Sequence, residues 1–416
     1  MAEEKRFHWA WVILGTCFFN LFVNYSIRLG YGLVLPEMIR DLGLSRTAGG
    51  TIYNAYLFSY LTLTPLSGFL TDRLGGRRVI TVGALILGIG VLFMGAADSM
   101  WTACLAYAIA GIGATGMWTP IITIVQRWFA SHRRGLALGI LSTGYGLGFA
   151  AMGALFPFIV HQFSWRHSWY FLGMGALVMV AANALLLRSD PETLGIDPWG
   201  ERSRAPEGLD DARLQASPFR VRAVFGNRRF WFIGASYFSI SYCLYGITTF
   251  MVDYARYQLG VPLEKASLLA TVHGACQVIG VLTILPLSDY LGRRKTIILS
   301  NACIACCLAG IVLGGHSTGV LFFLVGVLAM FYGATFPIYG ACAGDYFPKE
   351  VMGTVMGLWT PFYGLGAVLV HWITGALRDS TGGYNEAFLI TAVMGAVAVV
   401  LMAGVGKRNR ISNNEY

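Results

Sequence analysis

Gly68-Phe69-Leu70-Thr71-Asp72-Arg73-Leu74-Gly75-Gly76-Arg77-Arg78 is a short charged stretch between two long apolar runs. A degenerate copy, Asp289-Tyr290-Leu291-Gly292-Arg293-Arg294-Lys295, lies between two others, and the two aspartates are 217 residues apart. A second pair has almost the same spacing. Phe129 followed by Gly135 and Gly139 recurs as Phe347 followed by Gly353 and Gly357, 218 residues on. The chain therefore reads as two similar halves with a tight charged turn at equivalent places. Paired repeats of this size suit a membrane machine that opens alternately to two sides.

Composition sets the class. Mean hydropathy is +0.61. Apolar residues make up 56% and charged residues 12% of the 416 residues, about half the charged share of a soluble domain. Twelve apolar runs are long enough to span a bilayer at roughly 20 residues each. They cover about 9–34, 48–71, 79–97, 101–125, 136–160, 169–187, 230–254, 266–288, 296–314, 319–344, 354–377 and 386–406. Their apolar residues are continuous rather than alternating, which predicts helices and not a barrel. The expected domains are a six-helix bundle over 1–187, a cytoplasmic linker over 188–229, a second bundle over 230–406 and a tail over 407–416. The linker is rich in Pro, Gly and mixed charge, with room for a short amphipathic helix around 208–216.

Placing the N-terminus in the cytoplasm puts 23 of the 30 Lys and Arg on cytoplasmic segments and six on outer loops. The positive-inside rule then predicts both termini in the cytoplasm of a cell (inner) membrane. The net charge of +9 reflects this bias. It is no footprint for nucleic acid, since no basic stripe with interleaved aromatics lies outside the spans. The first run is too long for a cleavable signal and lacks a cleavage site. The eight cysteines follow no disulfide or zinc spacing. Cys303, Cys306 and Cys307 share one helix and read as packing. Gly111-Ile112-Gly113-Ala114-Thr115-Gly116 fits the dinucleotide string GxGxxG, but no strand precedes it. Small residues there let helices approach closely. Asn24-Tyr25-Ser26 fits a glycosylation acceptor but lies within a span. No P-loop is present.

The 68–78 loop and its weaker repeat resemble the loop 2–3 and loop 8–9 motif of the major facilitator superfamily. Within it, several stretches resemble bacterial relatives of monocarboxylate porters and oxalate/formate antiporters. These are Ile27-Arg28-Leu29-Gly30-Tyr31-Gly32 with Pro36, Gln126-Arg127-Trp128-Phe129 running into Arg134-Gly135, the Asp190-Pro191 to Gly200 linker, and Gly353-Thr354-Val355-Met356-Gly357. The resemblance spans the chain. It implies an all-α membrane protein with twelve transmembrane helices in two pseudo-symmetric six-helix bundles, no cofactor, no enzymatic activity and a monomer. The sequence departs from the pattern at Gly76, where a base is usual, and at Leu285, where the motif has glycine. The eighth helix lacks the arginine of carboxylate porters, and the eleventh lacks the lysine of oxalate porters. A singly charged anion is better supported than a dicarboxylate.

The residues point the same way. Arg28 is the one basic residue within a span, and an intramembrane arginine normally faces a cavity. Its guanidinium fork suits a carboxylate. Asn24 and Asn20 lie one and two turns before it on the same face, and Tyr31 is close to that face. His273 in the eighth run, one turn from Gln277, can exchange a proton near neutral pH. His371 lies nearer the outer surface. No acid sits deep within a span; Glu37 and Asp253 lie at outer helix ends and Asp345 at an inner end. Trp118, Tyr145, Tyr332, Trp359 and Tyr363 offer apolar walls with polar tips. The expected substrate contacts are therefore Arg28, Asn24, Tyr31, Trp118, Tyr145, His273, Gln277, Tyr332, Trp359 and Tyr363. Asp72, Arg73, Arg77, Arg133, Arg134, Asp289 and Arg293 are the expected gate, with Asp72 accepting from backbone groups or from Arg133 or Arg134. No metal ligands cluster. The expected function is secondary transport of a small organic anion, most simply a monocarboxylate, by proton symport or anion exchange. The alternatives are a porter of a neutral, zwitterionic or dicarboxylate solute, or a transporter-like sensor.

Overall fold

The computed structural model describes residues 8–200, 224–314, 317–347 and 349–406. The expected helix at 208–216 and the tail at 407–416 lie outside them. Among the described residues there are twelve long helical elements. In the first half these are α1 (Ala10–Leu42), α2 (Arg46–Leu74), α3 (Gly76–Gly95), α4 (Met100–Trp128), α5 (Arg134–Gln162) and α6 (Trp165–Leu186). In the second they are α7 (Arg228–Gln258), α8 (Leu263–Leu291), α9 (Arg293–Gly314), α10 (Thr318–Tyr346), α11 (Lys349–Thr381) and α12 (Asn385–Gly404). Ten are long and apolar enough to cross a membrane. The other two, α2 and α11, have 29 and 33 residues, but interleave their apolar positions with Ser, Thr, Tyr and Gly. Large apolar side chains such as Val178, Leu313, Phe323 and Val400 point outward, as lipid-facing surfaces require.

The two halves use the same internal pairings. In the first, α1 packs on α5 and α6, and α3 on α4 and α6. In the second, α7 packs on α11 and α12, and α9 on α10 and α12. Backbone conformation repeats as well. Gly75 turns α2 into α3 with φ +81°, and Gly292 turns α8 into α9 with φ +88°. A side chain would strain either turn. The arginines that follow also match. Arg77 donates to the carbonyl of Ala184 in the last turn of α6. Arg294 donates to Met402 at 3.2 Å and Ala403 at 2.7 Å, in the last turn of α12. Both satisfy terminal carbonyls and oppose the negative end of a helix dipole.

Small residues set the packing of α3 on α4. A Cβ at Gly83 would lie 2.8 Å from the Gly113 carbonyl oxygen, and one at Gly116 2.9 Å from that of Val79. The GxGxxG string is thus a helix contact. At the end of the string α4 breaks. A tight turn over Thr115–Met117 interrupts it, and a new segment starts at Thr119 with Pro120 in its first turn, where the missing proline N–H costs nothing. Trp118 sits at the break.

The described residues fall into two compact units. One comprises those of Met1–Gly208 together with Ala255–Ala275, and the other those of Leu209–Tyr254 and Cys276–Tyr416. The start of the linker is held in the first unit. Arg127 pairs with Asp190 at 2.9 Å, Trp128 donates its indole N–H to Arg188 O at 3.0 Å, and Phe129 bridges Trp199.

Candidate functional site

Arg28 lies in the middle of α1 and is 7% exposed. Its guanidinium carbon stands 5.0 Å from the ring centre of Tyr60 and 5.9 Å from those of Tyr25 and Tyr56. Aromatic faces stabilise a guanidinium electrostatically and leave its N–H edge for other acceptors. Tyr25 is one turn before Arg28, while Tyr56 and Tyr60 are one turn apart on α2. The three rings therefore converge from two helices. Tyr25 carries the cluster further, with its ring 5.2 Å from Tyr145 of α5 and 6.4 Å from Trp118 at the α4 break. Three expected contacts, Arg28, Trp118 and Tyr145, thus gather around a residue that sequence reading passed over. Tyr60 was passed over too. The available signal was spacing: Tyr25 at i−3 from Arg28, and a Tyr-x3-Tyr pair.

The side-chain oxygens of Asn24 and Tyr56 carry no hydrogen bond among the described residues. Both residues are buried. Buried polar atoms are normally satisfied, so both are open to a donor such as a solute hydroxyl.

Several other residues singled out in the sequence have structural partners. Asn20 and Asn183 of α6 exchange side-chain hydrogen bonds at 2.6 and 2.9 Å, so Asn20 ties two helices rather than extending the stripe. Tyr31 donates to Gly49 O at 2.6 Å and packs on Tyr53, Tyr107 and Trp169. Trp359 is fully buried against Phe230 and donates to its carbonyl at 3.1 Å. Tyr363 lies 4.6 Å from Tyr237, and Tyr332 is half-buried. His273 is fully buried beside Phe149, ring centres 5.4 Å apart. Gln277 is buried against Gly333, and its side-chain oxygen has no hydrogen bond among the described residues. His371 is buried and shares a hydrogen bond with Thr249 at 2.9 Å.

The expected gate residues divide between the halves. In the second, Arg293 reaches Asp289 at 3.4 Å, Asp345 at 3.3 Å and Ala341 O at 2.9 Å. In the first, the position equivalent to Arg293 is Gly76, where a Cβ would lie 2.8 Å from the Ile124 side chain. Asp72 is exposed at the end of α2 and has no ion pair or hydrogen bond among the described residues. Neither arginine named for it pairs with it among the described residues. Arg133 stacks on Trp199, and Arg134 donates to Gln126 O and Phe129 O. Arg73 stacks on Phe69.

The family model of the Major Facilitator Superfamily matches residues 17–267 and 236–414. The chain belongs to the major facilitator superfamily. Among its relatives is a probable hexose phosphate transport protein of Chlamydia pneumoniae, 23% identical over 96% of this chain and 92% of the relative. Others are a hexuronate transporter of Bacillus subtilis (23%, 91% of each) and monocarboxylate transporter 13 of Bos taurus (25%, 97% and 90%). Among solved structures, a bacterial homologue of the human lysosomal transporter Spinster superposes with a TM-score of 0.77 at 16% identity, covering 97% of this chain and 98% of that one. The nucleoside transporter NupG gives 0.74 at 13% identity, covering 95% and 100%. These likenesses establish the all-α major facilitator fold. The protein is a multi-pass membrane transporter of a small molecule.

Proposed function

We propose that this superfamily member carries a small organic anion, most simply a monocarboxylate, by alternating access. Arg28 supplies the fixed positive charge, Asn24 and Tyr56 supply neutral polar contacts, and Trp118, Tyr25 and Tyr145 form the apolar wall. The observation that carries this reading is a buried arginine on α1 whose faces are covered by three tyrosines. Covering the faces directs any anion to the guanidinium edge, where a bidentate hydrogen bond is strongest. The three relatives named above support it, since each carries an anionic solute in its name.

His273 is the proposed proton carrier of a symport cycle, with anion exchange as the other mode. Its burial beside Phe149 means that it meets water only when the surrounding helices part. Both termini are proposed to be cytoplasmic, in a cell (inner) membrane, with the protein acting as a monomer. Asp72, Arg293 and their neighbours remain proposed gate residues at the cytoplasmic ends.

The test is uptake into proteoliposomes across a panel of labelled monocarboxylates, dicarboxylates and neutral solutes, with and without a pH gradient. Saturable monocarboxylate uptake is expected. Transport confined to neutral or zwitterionic solutes would overturn the reading.

A further inference from the structure

The break in α4 makes Thr119–Trp128 a ten-residue helix of its own. Pro120 in its first turn has no N–H with which to continue the hydrogen-bond ladder from the turn before. A helix this short is marginal without tertiary ties. Its far end is held by the chain that follows α6. Arg188 O accepts the indole N–H of Trp128 at 3.0 Å, and Asp190 pairs with Arg127 at 2.9 Å. Trp199 N donates to Trp128 O at 2.9 Å, and Trp199 O accepts from Ala130 N at 3.1 Å. Residues 188–190 and Trp199 thus grip the same few residues from the two ends of one loop. A tight turn over Pro191–Leu194 and Gly195, with φ +66°, shape the loop for that return. Neighbouring elements anchor it. Ser189 Oγ accepts from Arg77 N at 3.3 Å, and Asp197 O lies 3.2 Å from the His8 ring nitrogen Nε2. The Trp199 ring meets Trp11 and Phe129 edge-on, centres 5.0 and 5.7 Å away, and the Arg133 guanidinium carbon lies 5.5 Å from it.

The near end of the short helix starts at Trp118, whose ring lies 6.4 Å from Tyr25 and 6.4 Å from Tyr145. Tyr25 in turn faces Arg28. We propose that residues 188–199 form a strap that positions Trp118. By holding one end of the short helix, the strap sets the angle at which the indole at its other end meets Tyr25 and Tyr145. The inference rests on the reading of Trp118 as part of the solute wall. A helix of this length spans about 15 Å, and helices bend where a proline interrupts the ladder. A shift at Trp128 is therefore delivered to Trp118 as a rotation about the break. A continuous α4 would fix the indole through its own ladder and would need no strap. Trp199 and Trp128 are thus positioning residues, acting on a solute through Trp118.

The test is fluorine NMR of the full-length protein labelled with fluorotryptophan, a readout that needs no substrate. The Trp118 signal is assigned by Trp118→Phe. Trp199→Ala keeps the backbone hydrogen bonds of the strap but removes the ring that packs on Trp11 and Phe129. It should shift or broaden the Trp118 signal and leave that of Trp169, on α6 of the same half, in place. Trp199→Phe retains a ring and should bring the Trp118 signal back towards its original position. Trp128→Phe removes the indole donor to Arg188 O and should displace Trp118 as Trp199→Ala does; it replaces that variant where it does not fold. A general loss of stability would disturb both signals, so Trp169 separates positioning from unfolding. An unmoved Trp118 signal in either folded variant, or one that moves only together with Trp169, would overturn the strap. Calorimetry with a carboxylate that binds the unaltered protein should show several-fold weaker binding in the shifted variants. A shifted signal with unaltered affinity would leave the strap standing and remove Trp118 from the solute wall.

Discussion

The guanidinium carbon of Arg28 lies 5.0 Å from the ring centre of Tyr60, one helix away. That contact sets an aromatic face against an intramembrane charge. An acid in this position would neutralise Arg28 and compete with any anionic solute. A ring stabilises the charge and leaves its hydrogen-bonding edge available.

Tyr60 is therefore expected to hold the arginine through its ring and not its hydroxyl. Tyr60→Phe should preserve both thermal stability and anion affinity. Tyr60→Leu should lose about 0.5–2 kcal/mol of the interaction and weaken anion binding several-fold. Calorimetry on the purified protein checks this. Equal losses in the two variants would assign the role to the hydroxyl.

The two charged turns are expected to respond differently to substitution. Arg293 joins Asp289, Asp345 and the Ala341 carbonyl, so Arg293→Ala should lower the melting temperature. Asp72 is exposed, and Asp72→Asn should change stability by no more than about 0.5 kcal/mol while slowing vesicle uptake. Ligand affinity should remain nearly intact, because a gate acts on the cycle and not on the site. Loss of binding in proportion to uptake would contradict the gate.

Close packing of α3 on α4 is expected to tolerate no added methyl. Gly83→Ala places a Cβ 2.8 Å from a backbone oxygen of Gly113, and overpacking of this kind costs about 1–3 kcal/mol. Thermal unfolding in detergent should show the loss. An unchanged melting temperature would mean that the helices slide apart freely.

Much of the architecture could be read from residues alone because its signals are local. Apolar run length gives the spans, and the spacing of Asp72 and Asp289 gives the repeat. Gly75 and Gly292 then adopt the same positive φ. What escaped reading is the choice of partners. Asn20 lies on the same face as Asn24, yet Asn183 of α6 claims it. Arg133, in the next inner loop, is one partner expected for Asp72, yet Trp199 from the linker takes its guanidinium. Arg77, read as a gate charge, donates to the end of α6. Each outcome depends on which helix lies opposite, and periodicity within one helix does not encode that. Tyr25 was hidden for a related reason. Its ring joins Arg28 to Trp118 and Tyr145, a junction of three helices and one helix break.

Proton coupling through His273 makes a separate forecast. His273→Gln keeps a hydrogen-bonding side chain of similar reach but cannot titrate. Acid stimulation of uptake between roughly pH 5.5 and 7.5, a window around the ordinary histidine value, should disappear, while exchange of internal for external anion persists. An unaltered pH profile would place the proton on the solute.

Carboxylate binding to Arg28 variants, measured by calorimetry on correctly folded protein, tests the anion site most directly. Arg28→Ala should lose about 2–5 kcal/mol of binding, the usual cost of removing one partner of a buried charged contact. Arg28→Lys should recover only part of it, because lysine keeps the charge but not the planar fork. Normal carboxylate affinity in Arg28→Ala would contradict the account, and a neutral or zwitterionic solute held by Asn24, Gln277 and the tyrosine hydroxyls would take its place.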